Sequence, residues 1–157
     1  IYDYLNNEYQ AYIYEESISK EHDLAVLYIE KTDIELEVIT FNFRKPQIGH
    51  KVIAIGQPNG QANAITFGEV MGYDAIEVYD RYDELYQHEF EAMVHTALTA
   101  TGSSGGMLLD YNLLVIGIHF AGNSLPNDVF EYGYAIPTET VIEYLNLFVF
   151  KTNEPIA

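Results

Sequence analysis

From Glu8 to Pro137 the apolar residues of this chain fall into short runs closed by glycine, proline, asparagine or aspartate. That punctuation suits strands and turns, and it restricts the fold to a barrel or sandwich. The strand candidates are 8–17, 22–30, 51–61, 64–74, 75–81, 113–122 and 132–137. The run at 22–30 is apolar enough to be buried, and 64–74 with 75–81 reads as a hairpin. Residues 79–94 are ambiguous between a helix and an acidic loop leading into a strand. The pattern changes at Pro137. Val141, Ile142, Leu145 and Phe148 recur at helical spacing, with Thr138 as the expected N-cap. The expectation is an all-β chain with one C-terminal helix. With 157 residues there is room for one domain or two small packed barrels. The weak boundaries lie near 57–64 and 42–49.

Composition removes several classes of function. The chain has no cysteine, which excludes disulfides, thiolate metal sites and a cysteine nucleophile. Its net charge is −17, and no Lys or Arg falls between Tyr82 and Phe150. Nucleic acid and anionic membrane surfaces are therefore disfavoured as partners. No apolar run is long enough to span a membrane. No metal or cofactor is expected, because the usual ligand spacings are missing. The acidic stretch 74–84 reads as a solvated loop rather than a calcium trap.

The stretch with chemical content is TATGSSGGMLLD, residues 99–110. Glycines let the backbone bend sharply around a small hydroxyl residue. A bend of this kind can expose a serine and aim backbone N–H groups at an oxyanion. Alone, the pentapeptide Gly102-Ser103-Ser104-Gly105-Gly106 is equally compatible with a flexible loop.

Its context is more specific. GSSGGMLLDYNLLVIGIHFAGN resembles the active-site segment of chymotrypsin-fold serine proteases. GIHFAGN followed by YGYAIPTETVIEYL is most similar to the bacterial glutamyl-endopeptidase branch, which includes V8 protease, exfoliative toxins and Spl proteases. HDLAVLYIE resembles the strand that carries the catalytic aspartate. KVIAIGQPNG and TFGEVMG resemble the segment that follows it, and AIP before the last helix is similar to the HtrA branch. The resemblance covers roughly residues 10–148. It implies two six-stranded antiparallel Greek-key barrels, the first incomplete, with residues 1–62 in the partial first barrel and 63–157 in the second plus the helix.

The resemblance also implies roles. Ser104 would be the nucleophile, Asp23 the orienting acid, and the N–H groups of Gly102 and Ser104 the oxyanion hole. His119 and Thr99 would hold a substrate Glu or Asp side chain, while uncharged Leu98 argues against a Lys or Arg pocket. If the HtrA similarity is the truer one, a small aliphatic side chain would be preferred. The implied protein is a serine endopeptidase, secreted by a bacterium, acting on polypeptides through an acyl-enzyme.

The base is missing from this reading. A serine hydroxyl is a poor nucleophile until a base takes its proton. Only 22 residues precede Asp23, and His22 is the sole histidine among them. On a strand His22 and Asp23 would point to opposite faces. His50 reads as a solvated turn residue, His88 as a surface residue in an acidic stretch, and His95 as a polar strand position. The histidine is thus expected upstream of Ile1 or absent, and the first barrel should need an N-terminal segment of the same protein to complete it. The rival reading is an inactive pseudoprotease serving as a binding module. A third reading, a structural protein with an accidental Gly-Ser loop, predicts no pocket beside Ser104.

Overall fold

The computed structural model describes residues 1–2, 7–30, 36–61, 64–79, 85–88, 90–125 and 129–150. Ten strands and one α-helix occur in them: β1 (Ala11–Ile13), β2 (Leu27–Ile29), β3 (Lys51–Gly56), β4 (Ala64–Asp74), β5 (Glu77–Tyr79), β6 (Leu85–Gln87), β7 (Ala92–His95), β8 (Met107–Asp110), β9 (Val115–Leu125), β10 (Val129–Pro137) and α1 (Thr138–Leu145).

Six strands close a barrel in the order β10-β7-β4-β3-β8-β9, every pair antiparallel. Closure leaves no free edge in this sheet. Val52, Ala54, Val70, Met93, Ala97, Leu108, Ile116 and Ala135 fill its interior. Burying a large aliphatic side chain in this way stabilises the fold by roughly 1.5–3 kcal/mol. Gly68 marks a close approach: a Cβ there would lie 2.1 Å from the Ala97 amide nitrogen. Strand β3 pairs with β4 on one side and β8 on the other.

The N-terminal part differs from expectation. Among the described residues β1 and β2 form a two-stranded sheet, not a second barrel. The stretch 22–30, expected to be one buried strand, is a turn followed by β2, and Leu27 and Tyr28 are each 53% exposed. A two-stranded sheet has no second layer to cover such side chains and is marginal by itself. Tyr12 stacks on its cross-strand partner Tyr28 at 5.4 Å. The stretch 75–81 also departs from expectation. β4 pairs with β3 and β7, while β5 pairs with β6 in a separate hairpin.

The helix ends at Leu145 and continues as a π-turn over Asn146–Phe150. Thr138 is not its cap. Pro137 occupies the N-cap position, and the Thr138 hydroxyl donates to the Val115 carbonyl at 3.1 Å. Buried Tyr144 joins the helix to the N-terminal segment, its hydroxyl donating to the Ser17 carbonyl at 2.7 Å. In turn, the Ser17 hydroxyl donates to Tyr14 O and accepts from the Val26 amide.

The Tyr144→Phe variant should therefore lose about 1–3 kcal/mol of stability, since the Ser17 carbonyl would stay buried without its partner. Urea unfolding of the two proteins, compared by midpoint at equal slope, measures this.

Candidate active site

The bend at 99–106 is fixed by its own backbone. Ser103 N donates to Ala100 O at 2.9 Å, and Gly106 N donates to Ser103 O at 2.9 Å. The buried Ser103 hydroxyl accepts from the Ala100 amide at 3.2 Å, so this serine braces the turn. Two further bonds tie the bend to β9: Gly105 N to His119 O and His119 N to Gly106 O, both 2.8 Å. Gly102, at φ +95°, needs to be glycine, because a Cβ would also lie 2.7 Å from the Gln57 carbonyl oxygen.

Ser104 is the exposed hydroxyl of the bend. Its Oγ donates to the Phe120 carbonyl at 3.0 Å. The amides of Ser103 and Gly105 are spent on the bonds above, whereas those of Gly102 and Ser104 donate to none of the described residues. Unpaired N–H groups flanking an exposed hydroxyl are the donors an oxyanion would need.

A cavity of about 210 Å³ opens beside Ser104. Thr99, Thr101, His119, Gly122, Ser124 and Phe130 are among its walls. The structure thus brings Ser104, Thr99 and His119 together around one space, with no Asp, Glu, Lys or Arg in the lining among the described residues. Leu98 is not part of this wall and is more than half exposed.

Beneath the cavity lies a histidine pair that sequence reasoning did not assemble. His95 is 0% exposed and His119 is 4% exposed. His95 Nε2 and His119 Nδ1 are 3.3 Å apart, with the rings edge-on. Position 133 must be glycine for this pair to fit: a Cβ would fall 2.6 Å from His95 Cε1 and 3.0 Å from Thr99 Oγ1. The signal in the sequence was parity. His95 ends an inward-facing alternation on β7, and β10 places Gly133 opposite it.

Burial drives both imidazoles toward the neutral form. His95 is pushed down to about 3 by burial and then by the neighbouring His119, with the Ala97 backbone opposing. His119 is pushed down to about 4 by burial. Both rings are neutral at pH 7 and serve as one donor and one acceptor each.

Asp23 stands elsewhere. It lies in the turn before Leu24 with φ +52°, not on a strand, and does not line the cavity. Desolvation raises its carboxyl above the usual range, with the nearby His88 opposing. No hydrogen bond joins it to Ser104 among the described residues. His22 faces the other way: its ring packs 5.8 Å from both Tyr144 and Phe148. His50 is exposed and accepts from the Gln47 amide at 3.1 Å, as a turn residue should. His88 is not the surface residue expected, since its ring packs against Phe90 and Phe120. Among the described residues no group of three or more His, Asp or Glu could hold a metal. Part of the acidic stretch 74–84 lies outside them.

Residues 4–118 match the model of the trypsin-like peptidase domain. The chain belongs to that family. This peptidase domain is 35% identical over 118 residues to a probable periplasmic serine endoprotease, DegP-like, of Chlamydia trachomatis, covering 74% of this chain and 22% of that protein. It is 31% identical over 131 residues to the chloroplastic protease Do-like 5 of Arabidopsis thaliana, covering 80% of this chain and 38% of that one. These relatives are Do-like and DegP-like proteases, and this chain spans less than two fifths of their length. Among solved structures, Deg5 superposes with a TM-score of 0.70 at 28% identity, covering 97% of this chain and 68% of that one. The active form of the Rv3671c protease from M. tuberculosis superposes at 0.76 with 20% identity, covering 97% and 63%, a likeness of fold. No helix of the peptidase domain, among the described residues, is long and apolar enough to cross a membrane.

The buried pair sets a pH dependence. Each folded-state pKa lies below the unfolded value near 6.5, so the unfolded chain binds more protons in the acid range. The stabilising share of these two groups is complete above about pH 6.5 and falls as pH drops through 6 and 5 toward about 4 and 3. Denaturant midpoints measured from pH 7.5 to 4.5 should fall with acid in the wild type. The slope should be shallower in the His95→Gln, His119→Gln double variant.

Proposed function

We propose that this chain is the Ser104-bearing part of a serine endopeptidase that cleaves after Glu or Asp, acting outside the cytoplasm on polypeptide substrates. The observation that carries the reading is the pairing of one exposed serine with two unpaired amides, Gly102 and Ser104, at the mouth of a cavity. In this mechanism Ser104 Oγ attacks the substrate carbonyl and a base takes its proton. The oxygen that becomes negative settles between the Gly102 and Ser104 amides. The base hands that proton to the nitrogen of the breaking C–N bond, the amine leaves, an acyl-Ser104 ester remains, and water, deprotonated by the same base, releases it. Asp23 orients the base. We place that base in a segment upstream of Ile1, where added strands would also cover the exposed faces of β1 and β2.

The preference for an acidic side chain rests on His119 and Thr99. A carboxylate in the cavity selects the tautomer pair in which His95 Nε2–H donates to His119 Nδ1. The His119 Nε2–H is then left to donate to the substrate, and the Thr99 hydroxyl can add a second bond. The relatives are named periplasmic and chloroplastic proteases, which supports a site of action outside the cytoplasm for this chain as well.

The test uses a form extended upstream through the first barrel. A fluorophosphonate should label Ser104, and Ser104→Ala should not react. Peptides with Glu before the cut bond should be cleaved faster than those with Ala or Lys. His119→Gln should lower kcat/KM for the Glu peptide by roughly tenfold to a hundredfold, the worth of one or two such hydrogen bonds. No label on Ser104 would leave a binding module instead. Faster cleavage after Ala would assign the cavity to small aliphatic side chains.

A further inference from the structure

Asp23 occupies an unusual place for an orienting acid. Its turn is closed on itself by Ser19 N to Leu24 O and Leu24 N to Ser19 O, at 3.0 and 3.2 Å. Asp23 itself takes the left-handed conformation at φ +52°, which Asp tolerates in turns better than most non-glycine residues. Two histidines hold this turn, His22 from within it and His88 from outside it. His22 bonds Ser19 Oγ through Nδ1 at 2.8 Å and lays its ring against Tyr144 and Phe148 at the C-terminal helix.

His88 comes from the connection between β6 and β7. Its Nδ1 lies 3.3 Å from the Glu21 carbonyl oxygen, two residues from Asp23. Its ring packs 5.0 Å from Phe90 and edge-on to Phe120 at 5.5 Å, and Phe90 meets Phe120 at 5.8 Å. Phe120 is the residue whose carbonyl accepts the Ser104 hydroxyl. A continuous path of contacts therefore runs from the Asp23 turn through His88 and Phe120 to Ser104.

We propose that His88 is a positioning residue, which ties the Asp23 turn to the Phe90–Phe120 block and so sets the acid relative to Ser104. This rests on the reading of Asp23 as the orienting acid. Nδ1–H of His88 donates to the Glu21 carbonyl and fixes the ring. A protonated ring at this place favours the ionised form of the Asp23 carboxyl, against the desolvation that raises its pKa. His88 makes no hydrogen bond to Ser104 among the described residues, so its role is to hold the acid rather than to take the serine's proton. Among the described residues its Nε2 is buried without a hydrogen-bond partner.

The experiment is a carboxyl-detected NMR titration of Asp23 in the full chain, compared with His88→Phe and His88→Gln. His88→Phe keeps the aromatic volume and removes both nitrogens. His88→Gln keeps a donor but no charge. Both variants should move the Asp23 midpoint to higher pH. In the upstream-extended form, His88→Phe should lower kcat several-fold with little change in KM. An unchanged Asp23 midpoint in either folded variant would overturn the proposal. Should neither variant fold, a through-bond coupling between His88 Nδ1 and the Glu21 carbonyl carbon in the wild type decides: present supports the tie, absent rejects it. If Ser104 never takes a fluorophosphonate while Asp23 still responds to His88, the protease reading fails and the tie stands.

Discussion

Two hydrogen bonds, Gly105 N to His119 O and His119 N to Gly106 O, anchor the bend that carries Ser104. They extend the ladder between β8 and β9 past its last paired residues, so the bend inherits the rigidity of a closed barrel. The rest of the site follows from that docking. Once β9 runs beside the bend, residue parity decides what each of its side chains meets. His119 turns into the cavity wall, Phe120 offers its carbonyl to Ser104 and its ring to His88, and Gly122 leaves room beside Thr99. A one-residue slip of β9 would exchange these roles. The fully buried interior, with Val52, Leu108 and Ile116 at 0–1% exposure, holds the register.

The polar interior is arranged around the same constraint. Two neutral imidazoles are buried under the cavity and share one hydrogen bond, while His95 Nδ1 has no partner among the described residues. Gly133 is small because any side chain there would strike the His95 ring. Burying such groups is costly unless they are paired. The pair is therefore stable in the neutral state and becomes a liability in acid. The N-terminal segment obeys a different logic. Among the described residues it has no closed sheet of its own, and Tyr144 to Ser17 and His22 against the helix end are contacts that hold it.

Much of this was legible in the sequence, for reasons specific to each element. The runs at 51–61, 64–74, 113–122 and 132–137 coincide with β3, β4, β9 and β10 because their alternation is strong and their ends carry glycine or proline. Ser104, Thr99 and His119 were singled out by the resemblance to chymotrypsin-fold proteases, and all three line one cavity. What failed was long-range. The run at 22–30 is apolar but has no covering layer, so it turns and stays exposed. Of the stretch 75–81, the described part, 75–79, does not return to β4, because β7 already occupies that edge. Thr138 prefers a buried acceptor on β9 over capping its own helix. His88 looked like a surface residue because its neighbours in sequence are acidic. Its actual neighbours, Phe90 and Phe120, come together only in the fold.

The central claim is that the amides of Gly102 and Ser104 stand ready to receive a negative oxygen formed at Ser104. Binding of a peptidyl boronic acid tests it directly, read by boron and amide NMR on the upstream-extended protein. The account predicts a tetrahedral boron adduct on Ser104, with downfield movement of the Gly102 and Ser104 amide protons and little change at Ser103 and Gly105. Boron that stays trigonal, or an adduct that leaves those two amides unmoved, would contradict it.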